Sequence, residues 1–200
     1  PGVPGLTGFL EPIADQWREV ILRGIFYLAN KAGVALPMLW LYPRNLPALA
    51  HLSHDTDGND AALGAKLLEE VNKAGIYSTW CVIPEGYPKD LIENIKSSGH
   101  ELATHYNAID NPWSEEEFAA QCGRLKVLFG EQPVSNKNHY TRWEGGTEFF
   151  DWCQRQNLQL DQTKGPSKLG EVGFTFGSAQ LYFPLADNDE IHPVMEQPLH

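Results

Sequence analysis

The chain has 200 residues, enough for one domain with a buried core. Hydrophobic residues make up 42% and charged residues 20%, the balance of an ordinary soluble globular protein. A net charge of −11 argues against nucleic acid or an anionic membrane as partner, and no apolar run reaches the roughly 20 residues that a membrane helix needs.

In chain order, residues 1–13 are rich in Pro and Gly and read as loop. A helix is expected from about Asp15 to Ala32, with Trp17, Val20, Ile21, Gly24, Leu28 and Ala32 on one face and Gly33 as its stop. Residues 34–47, with Pro37, Pro43, Pro47, Trp40 and Tyr42, read as an ordered aromatic connection. Residues 1–47 are therefore read as an N-terminal extension, and residues 48–200 as the main domain. There, strands alternate with helices. An apolar strand over Ala48–Ser53 leads to a helix over about 60–74, with Leu63, Leu67, Val71 and Ala74 as its buried face. A strand over Ile76–Ile83 leads to a helix over about 88–98, burying Leu91, Ile92 and Ile95 behind Pro88. A strand over His100–Tyr106 leads to a helix from Ser114, where Ser114-Glu115-Glu116-Glu117 reads as a capping box and Phe118, Cys122, Leu125 and Phe129 share a face. A strand near Pro133–Lys137 leads to a helix over about 147–156. Strands near Leu158–Asp161 and Val172–Phe176 follow. Such alternation predicts an α/β fold with a mostly parallel sheet, with fewer strands than the eight of a complete barrel. Cys81, Cys122 and Cys153 lie in apolar segments and read as buried free thiols, which leans towards a reducing, cytoplasmic compartment. Without a signal peptide or an initiator Met, the chain reads as a piece of a longer protein.

Ligands bind at the carboxyl ends of the strands in such folds. His54-Asp55-Thr56-Asp57-Gly58 sits at the end of the first strand and sets two acidic residues one position apart. Like charges that close call for a cation or a reaction that uses them; a turn and an N-cap would need only one of them. Gly58 stands in the wrong place for an EF-hand calcium loop. The third strand ends in His105, the fourth leads to His139 with Arg142 beyond it, and the fifth ends in Asp161. Carboxylates and imidazoles together suit a divalent ion of the zinc or iron kind that activates water, with a free carboxylate as base. Read singly, His105 and His139 are each compatible with a structural role, Arg142 with pairing a carboxylate, and Asp161 with capping a loop. No phosphate-binding loop, dinucleotide fingerprint, nucleophile elbow or paired Cys-x-x-Cys is present.

The strand ending in His-Asp-x-Asp-Gly, followed by Ser98-Gly99-His100-Glu101-Leu102-Ala103-Thr104-His105, resembles the polysaccharide deacetylase superfamily, the NodB-homology domains of carbohydrate esterase family four. The similarity runs from about Ala48 to Leu185. It implies a distorted (β/α) barrel of parallel strands, here possessing fewer strands than a full barrel at its C-terminal end. It also implies that Asp55 is the base and Asp57 a metal ligand. The family's second motif, Gly-His-Glu-x-x-x-His-x-x-x-His, assigns His105 as a ligand but places its last histidine at Ile109, which cannot ligate. The third ligand is then His139 or, as a weaker choice, Asn107. Arg142 takes the place of an arginine that orients the base, and Asp161 that of an aspartate supporting the acid–base machinery. The family's closing Leu-x-x-His has no match here.

The resemblance thus implies hydrolysis of a C–N amide bond, an N-acetyl group on a sugar or polysaccharide, assisted by a divalent metal, with zinc first and iron, cobalt or nickel as alternatives. A backbone N–H near Ile83–Tyr87 would stabilise the oxyanion, and Trp80, Tyr87, Trp113 and Trp143 are candidates for stacking on sugar rings. Two other readings stay open: a metal-independent hydrolase of small cyclic amides or ureides, and a catalytically inactive domain that binds carbohydrate or protein.

Overall fold

A computed structural model describes residues 9–38, 42–166, 173–174 and 177–199. Its described strands form one all-parallel sheet in chain order: β1 (Ser53–Asp55), β2 (Thr79–Val82), β3 (Glu101–Thr104), β4 (Ser135–Asn136), β5 (Leu160–Asp161) and β6 (Met195–Glu196). β1 and β6 are the two edges, so the sheet curves without closing. Helix α1 (Ile13–Lys31) precedes it. Helices α2 (Ala61–Lys73), α3 (Lys89–Ser97), α4 (Glu115–Phe129) and α5 (Glu148–Arg155) make the crossovers between β1 and β5.

Strand alternation assigns the two faces. Trp80, Val82 and Leu102 turn outwards into a core with Leu68 and Val71 of α2, Leu91, Ile92 and Ile95 of α3, and Leu125 and Phe129 of α4. A second core, around Phe118, Cys122, Phe149, Phe150 and Cys153, seats α4 and α5. Thr79, Cys81, Glu101 and Ala103 alternate with these and line the inner face. All three cysteines are free and buried, as expected. α4 begins as predicted: Ser114 Oγ accepts from Glu117 N at 3.2 Å. The return half of the capping box is replaced, because Ser114 N donates to Tyr106 Oη instead.

Three expectations are corrected, and the face of the first helix, which forms as expected, proves uncovered. In α2 the buried stripe is Gly64, Leu68 and Val71, while Leu63 is 66% exposed. Gly64 decides this: a Cβ there would lie 2.8 Å from Tyr87 Cζ, so only glycine lets this face of the helix approach. In α1 no residue is buried, and Trp17, Val20, Ile21 and Leu28 are exposed, because no described layer covers that face; the helix is held by its first turn, where Asp15 accepts from Ser178 Oγ and Ala179 N. β1 is shorter than the predicted apolar strand, and Leu49 and Leu52 stay exposed, since an edge strand has a neighbour on one side only. The sixth strand is Met195–Glu196. Of the predicted Val172–Phe176 only Gly173 and Phe174 are described, the rest lying outside the described residues, and Phe174 bridges antiparallel to Phe9.

One row in the outer layer is polar. Thr104, Asn136, Asp161 and Glu196 are register partners in successive strands, and all are fully buried. Asp161 accepts from Asn136 Nδ2 at 2.7 Å, Thr163 Oγ1 at 2.8 Å and Thr163 N at 3.1 Å. Glu196 accepts from Lys164 N at 2.9 Å and sits beside Asp161 as its register partner in the next strand. Two buried carboxylates side by side cannot both ionise. Asp161, with more donors, carries the charge. Burial first, then the Asp161 charge, push the Glu196 carboxyl well above its ordinary range, so Glu196 carries the proton.

That pair makes stability depend on pH. An unfolded glutamate releases its proton near pH ~4.3, whereas folded Glu196 keeps it. Its stabilising contribution is therefore complete below the unfolded value and is lost as pH rises through the folded one. The variant Glu196→Gln cannot ionise. Thermal melts are expected to give it a Tm close to wild type at acidic pH and a higher Tm than wild type at mildly alkaline pH; parallel Tm curves for the two proteins would contradict the shared proton.

Candidate metal centre and active site

The segment after β1 hands three aspartates to three different partners. Asp55 ends the strand on the inner face, where Lys137 Nζ lies 2.8 Å from its Oδ1. Thr56 then continues the pairing, donating N–H to Cys81 O and accepting from Ile83 N through its hydroxyl. Gly58 (φ 72°) and Asn59 (φ 48°) turn the chain through the left-handed region, which lifts Asp57 over the strand ends. Asp60 caps α2, accepting from Ala62 N and Leu63 N at 2.9 Å. Capping therefore consumes neither member of the original pair.

His105 leaves β3 fully buried. Its Nδ1 donates to the Lys137 carbonyl at 2.6 Å, which leaves the Nε2 lone pair for a ligand role. Burial is the largest influence on its pKa and lowers it, favouring the neutral ring that metal ligation requires. His139 lies just past β4 in a single 3₁₀ turn, anchored by its N–H on Tyr106 O. Asp57 Oδ1, His105 Nε2 and His139 Nδ1 form a triangle with every edge 3.2 Å. A tetrahedral ion about 2.0–2.1 Å from each ligand would set those edges at about 3.3–3.4 Å. Among the described residues this is the group that can hold a metal ion. Two nitrogens and one oxygen match the donor set of zinc and its neighbours.

Beside the triangle a cleft of about 450 Å³ runs towards α2, with Asp55, Asp57 and Asp60 on one side and Leu63, Leu67 and Tyr87 on the other. It gives Asp55 and Asp57 access from solvent.

Other expected site residues lie elsewhere. Arg142 does not reach Asp55: its guanidinium is bound to the Ala108 carbonyl and the Glu144 carboxylate. The cation on Asp55 is Lys137, which the sequence reading passed over as the last residue of a strand. Alternation held a signal for it, because Ser135 and Lys137 share the inner face that ends at the acidic pair. Asp161 points to the outer row and makes no contact with the cluster; through Thr163 Oγ1, which also accepts from Asn138 N at 3.0 Å, it braces the loop that carries His139. Ile109 is 46% exposed in a turn whose N–H groups are held by Asn107 Oδ1, so Asn107 is spent on its own backbone. Trp80 is fully buried and Tyr87 nearly so, which removes both from sugar stacking. Trp113 and Trp143 are half-buried in a ring cluster around Phe149.

No protein-family model and no curated protein matches this sequence. Solved structures match its architecture. A protein from Mycobacterium smegmatis assigned as a polysaccharide deacetylase aligns with a TM-score of 0.57 and 17% identity, covering 83% of this chain and 63% of that one. A protein from Bordetella bronchiseptica, assigned as a polysaccharide deacetylase involved in O-antigen biosynthesis, aligns with a TM-score of 0.54 and 20% identity, covering 74% of this chain and 56% of that one. The chain spans less than two thirds of the length of either. At such identities the likeness is one of backbone architecture. The chain has the fold of the polysaccharide deacetylases, a distorted (β/α) barrel whose sheet, among the described residues, does not close.

Proposed function

We propose that the chain is a metal-dependent hydrolase of C–N amide bonds, and that its substrate is an N-acetylated sugar or polysaccharide. The observation that carries this reading is the equilateral Asp57–His105–His139 triangle beside an independent carboxylate, Asp55, held by its own cation. The fold shared with proteins assigned as polysaccharide deacetylases supports the substrate class.

Asp57 through Oδ1, His105 through Nε2 and His139 through Nδ1 would hold the ion, with zinc as the first choice. When bound, the ion supplies Lewis-acid polarisation of the acyl oxygen and acidifies water towards neutral pH. Asp55 is the general base and takes the proton of the attacking water. Lys137, 12% exposed, fixes the Asp55 carboxylate from the side away from the cleft and balances its charge. The same residue's carbonyl keeps the His105 ring in the tautomer that presents Nε2. His139 stands in for the histidine that Ile109 replaces, reaching the same corner from the neighbouring strand.

Two measurements test this. In calorimetric titration of the apo-protein, zinc is expected to bind with one-to-one stoichiometry, and His139→Ala to weaken binding by at least ~100-fold, while Asn107→Ala leaves it unchanged. Equal affinity in wild type and His139→Ala would refute the ligand set. On acetylated chito-oligosaccharides, amine release is expected to stop on chelation and return with zinc. Asp55→Asn should lower kcat by about 10²–10⁴-fold. Lys137→Met should lower kcat with Lys137→Arg retaining more activity, and Arg142→Ala should matter less than either. Turnover that survives chelation, or is indifferent to Asp55→Asn, would remove the proposal.

A further inference from the structure

A second polar cluster lies on the inner face at the opposite end of the strands from Asp55 and His105. Thr79 opens β2 and Glu101 opens β3, and the two are register partners. Thr79 Oγ1 donates to Glu101 Oε2 at 2.5 Å, and Ser135 Oγ donates to Glu101 Oε1 at 2.7 Å. With its one proton committed to Glu101, the Thr79 oxygen accepts from His51 Nε2 at 3.0 Å. The relay fixes the tautomer of His51 and leaves its Nδ1 as a lone-pair acceptor. Burial lowers the His51 pKa, so the ring is neutral.

This relay opens on a cavity of about 490 Å³, the size of a small-molecule site. Gln159 and Gln197 line it beside Glu101 and His51, and neither amide side chain has a hydrogen-bond partner among the described residues. Tyr42, Leu181 and Met195 supply an apolar wall, and no lysine or arginine lines the space. With the Glu101 carboxylate in its lining, the cavity favours neutral ligands over anions. Amide groups, which both donate and accept, together with a fixed imidazole acceptor, match hydroxyls, which also do both. The apolar wall suits the C–H face of a sugar ring. We propose that this cavity is a second, non-catalytic site that binds a neutral mono- or disaccharide. The proposal stands on the cavity alone and does not depend on the metal centre or on hydrolysis.

The test uses the whole chain, isotopically labelled, and follows backbone amide shifts in NMR titrations with cellobiose, maltose and N,N′-diacetylchitobiose, each to about 20 mM, a range that reveals millimolar binding. Gluconate serves as the anionic control. At least one neutral sugar is expected to shift the resonances of Thr79, Glu101 and Gln159, and gluconate none. The double variant Gln159→Ala/Gln197→Leu, whose amides hold no part of the fold together, should weaken that binding about 10-fold or more with an unchanged Tm. Asp57→Asn should leave it intact. The proposal fails if no sugar moves these resonances, if the shifts cluster around Gly58 and His105 instead, or if the double variant binds as well as wild type.

Discussion

The exit of β4 is the constraint on which the site depends. At Lys137 the side chain pairs with Asp55 at 2.8 Å, and the backbone carbonyl takes the Nδ1 proton of His105 at 2.6 Å. Two residues later the same segment delivers His139 to within 3.2 Å of both His105 and Asp57. A single stretch of chain therefore orients a carboxylate, sets a tautomer and supplies the second nitrogen of the triangle. No one of these contacts is strong by itself. Their effect comes from sharing one rigid backbone, so that each rotamer is determined by the others.

That stretch is rigid because of what lies behind it. The strand ladder continues past β3 and β4 through Lys137 N on Thr104 O and His139 N on Tyr106 O. On the outer side, Asn138 donates its N–H to Thr163 Oγ1 and its side-chain amide to the Arg142 carbonyl. Thr163 and Asn136 in turn lean on the buried Asp161, whose charge is tolerated because Glu196 beside it keeps a proton. The polar row is thus an expensive piece of core that buttresses the loop carrying His139 from the face opposite the Asp57–His105–His139 triangle. The apolar part of the core does coarser work: it seats α2 to α5 on the sheet and so brings the carboxyl ends of β1, β3 and β4 to one rim.

The departures from the expected motif are compensated in space and not along the chain. Position 109 lies in a surface turn and offers no nitrogen to the rim, but the turn after β4 reaches the same corner. In the same way Arg142 is drawn off to Glu144 and the Ala108 carbonyl, and Lys137, earlier in the same segment, holds the Asp55 carboxylate. Electrostatics is indifferent to the order in which the chain delivers its groups. A ligand set needs three donors at the right separations, and a carboxylate needs a nearby cation; which residues provide them is settled by which strand ends are neighbours.

What the sequence by itself determined follows from local periodicity and local chemistry. The order of strands and helices, the buried stripes of α3 and α4, the Ser114 cap, the free buried cysteines and the placement of Asp55, Asp57, His105 and His139 at one rim were all legible, because strand alternation, helix spacing and strand-end position are written in neighbouring residues. Only the tertiary structure decided the rest. The stripe of α2 moved by one residue because Gly64 permits a close approach to Tyr87, a residue more than a helix turn away in sequence but in contact in space. The apolar face of α1 stayed exposed because periodicity marks a face without saying whether anything covers it. Glu196 and the inner-face relay from His51 to Glu101 were invisible because their roles arise from pairs separated by tens of residues, which the register of a parallel sheet brings together and the sequence does not.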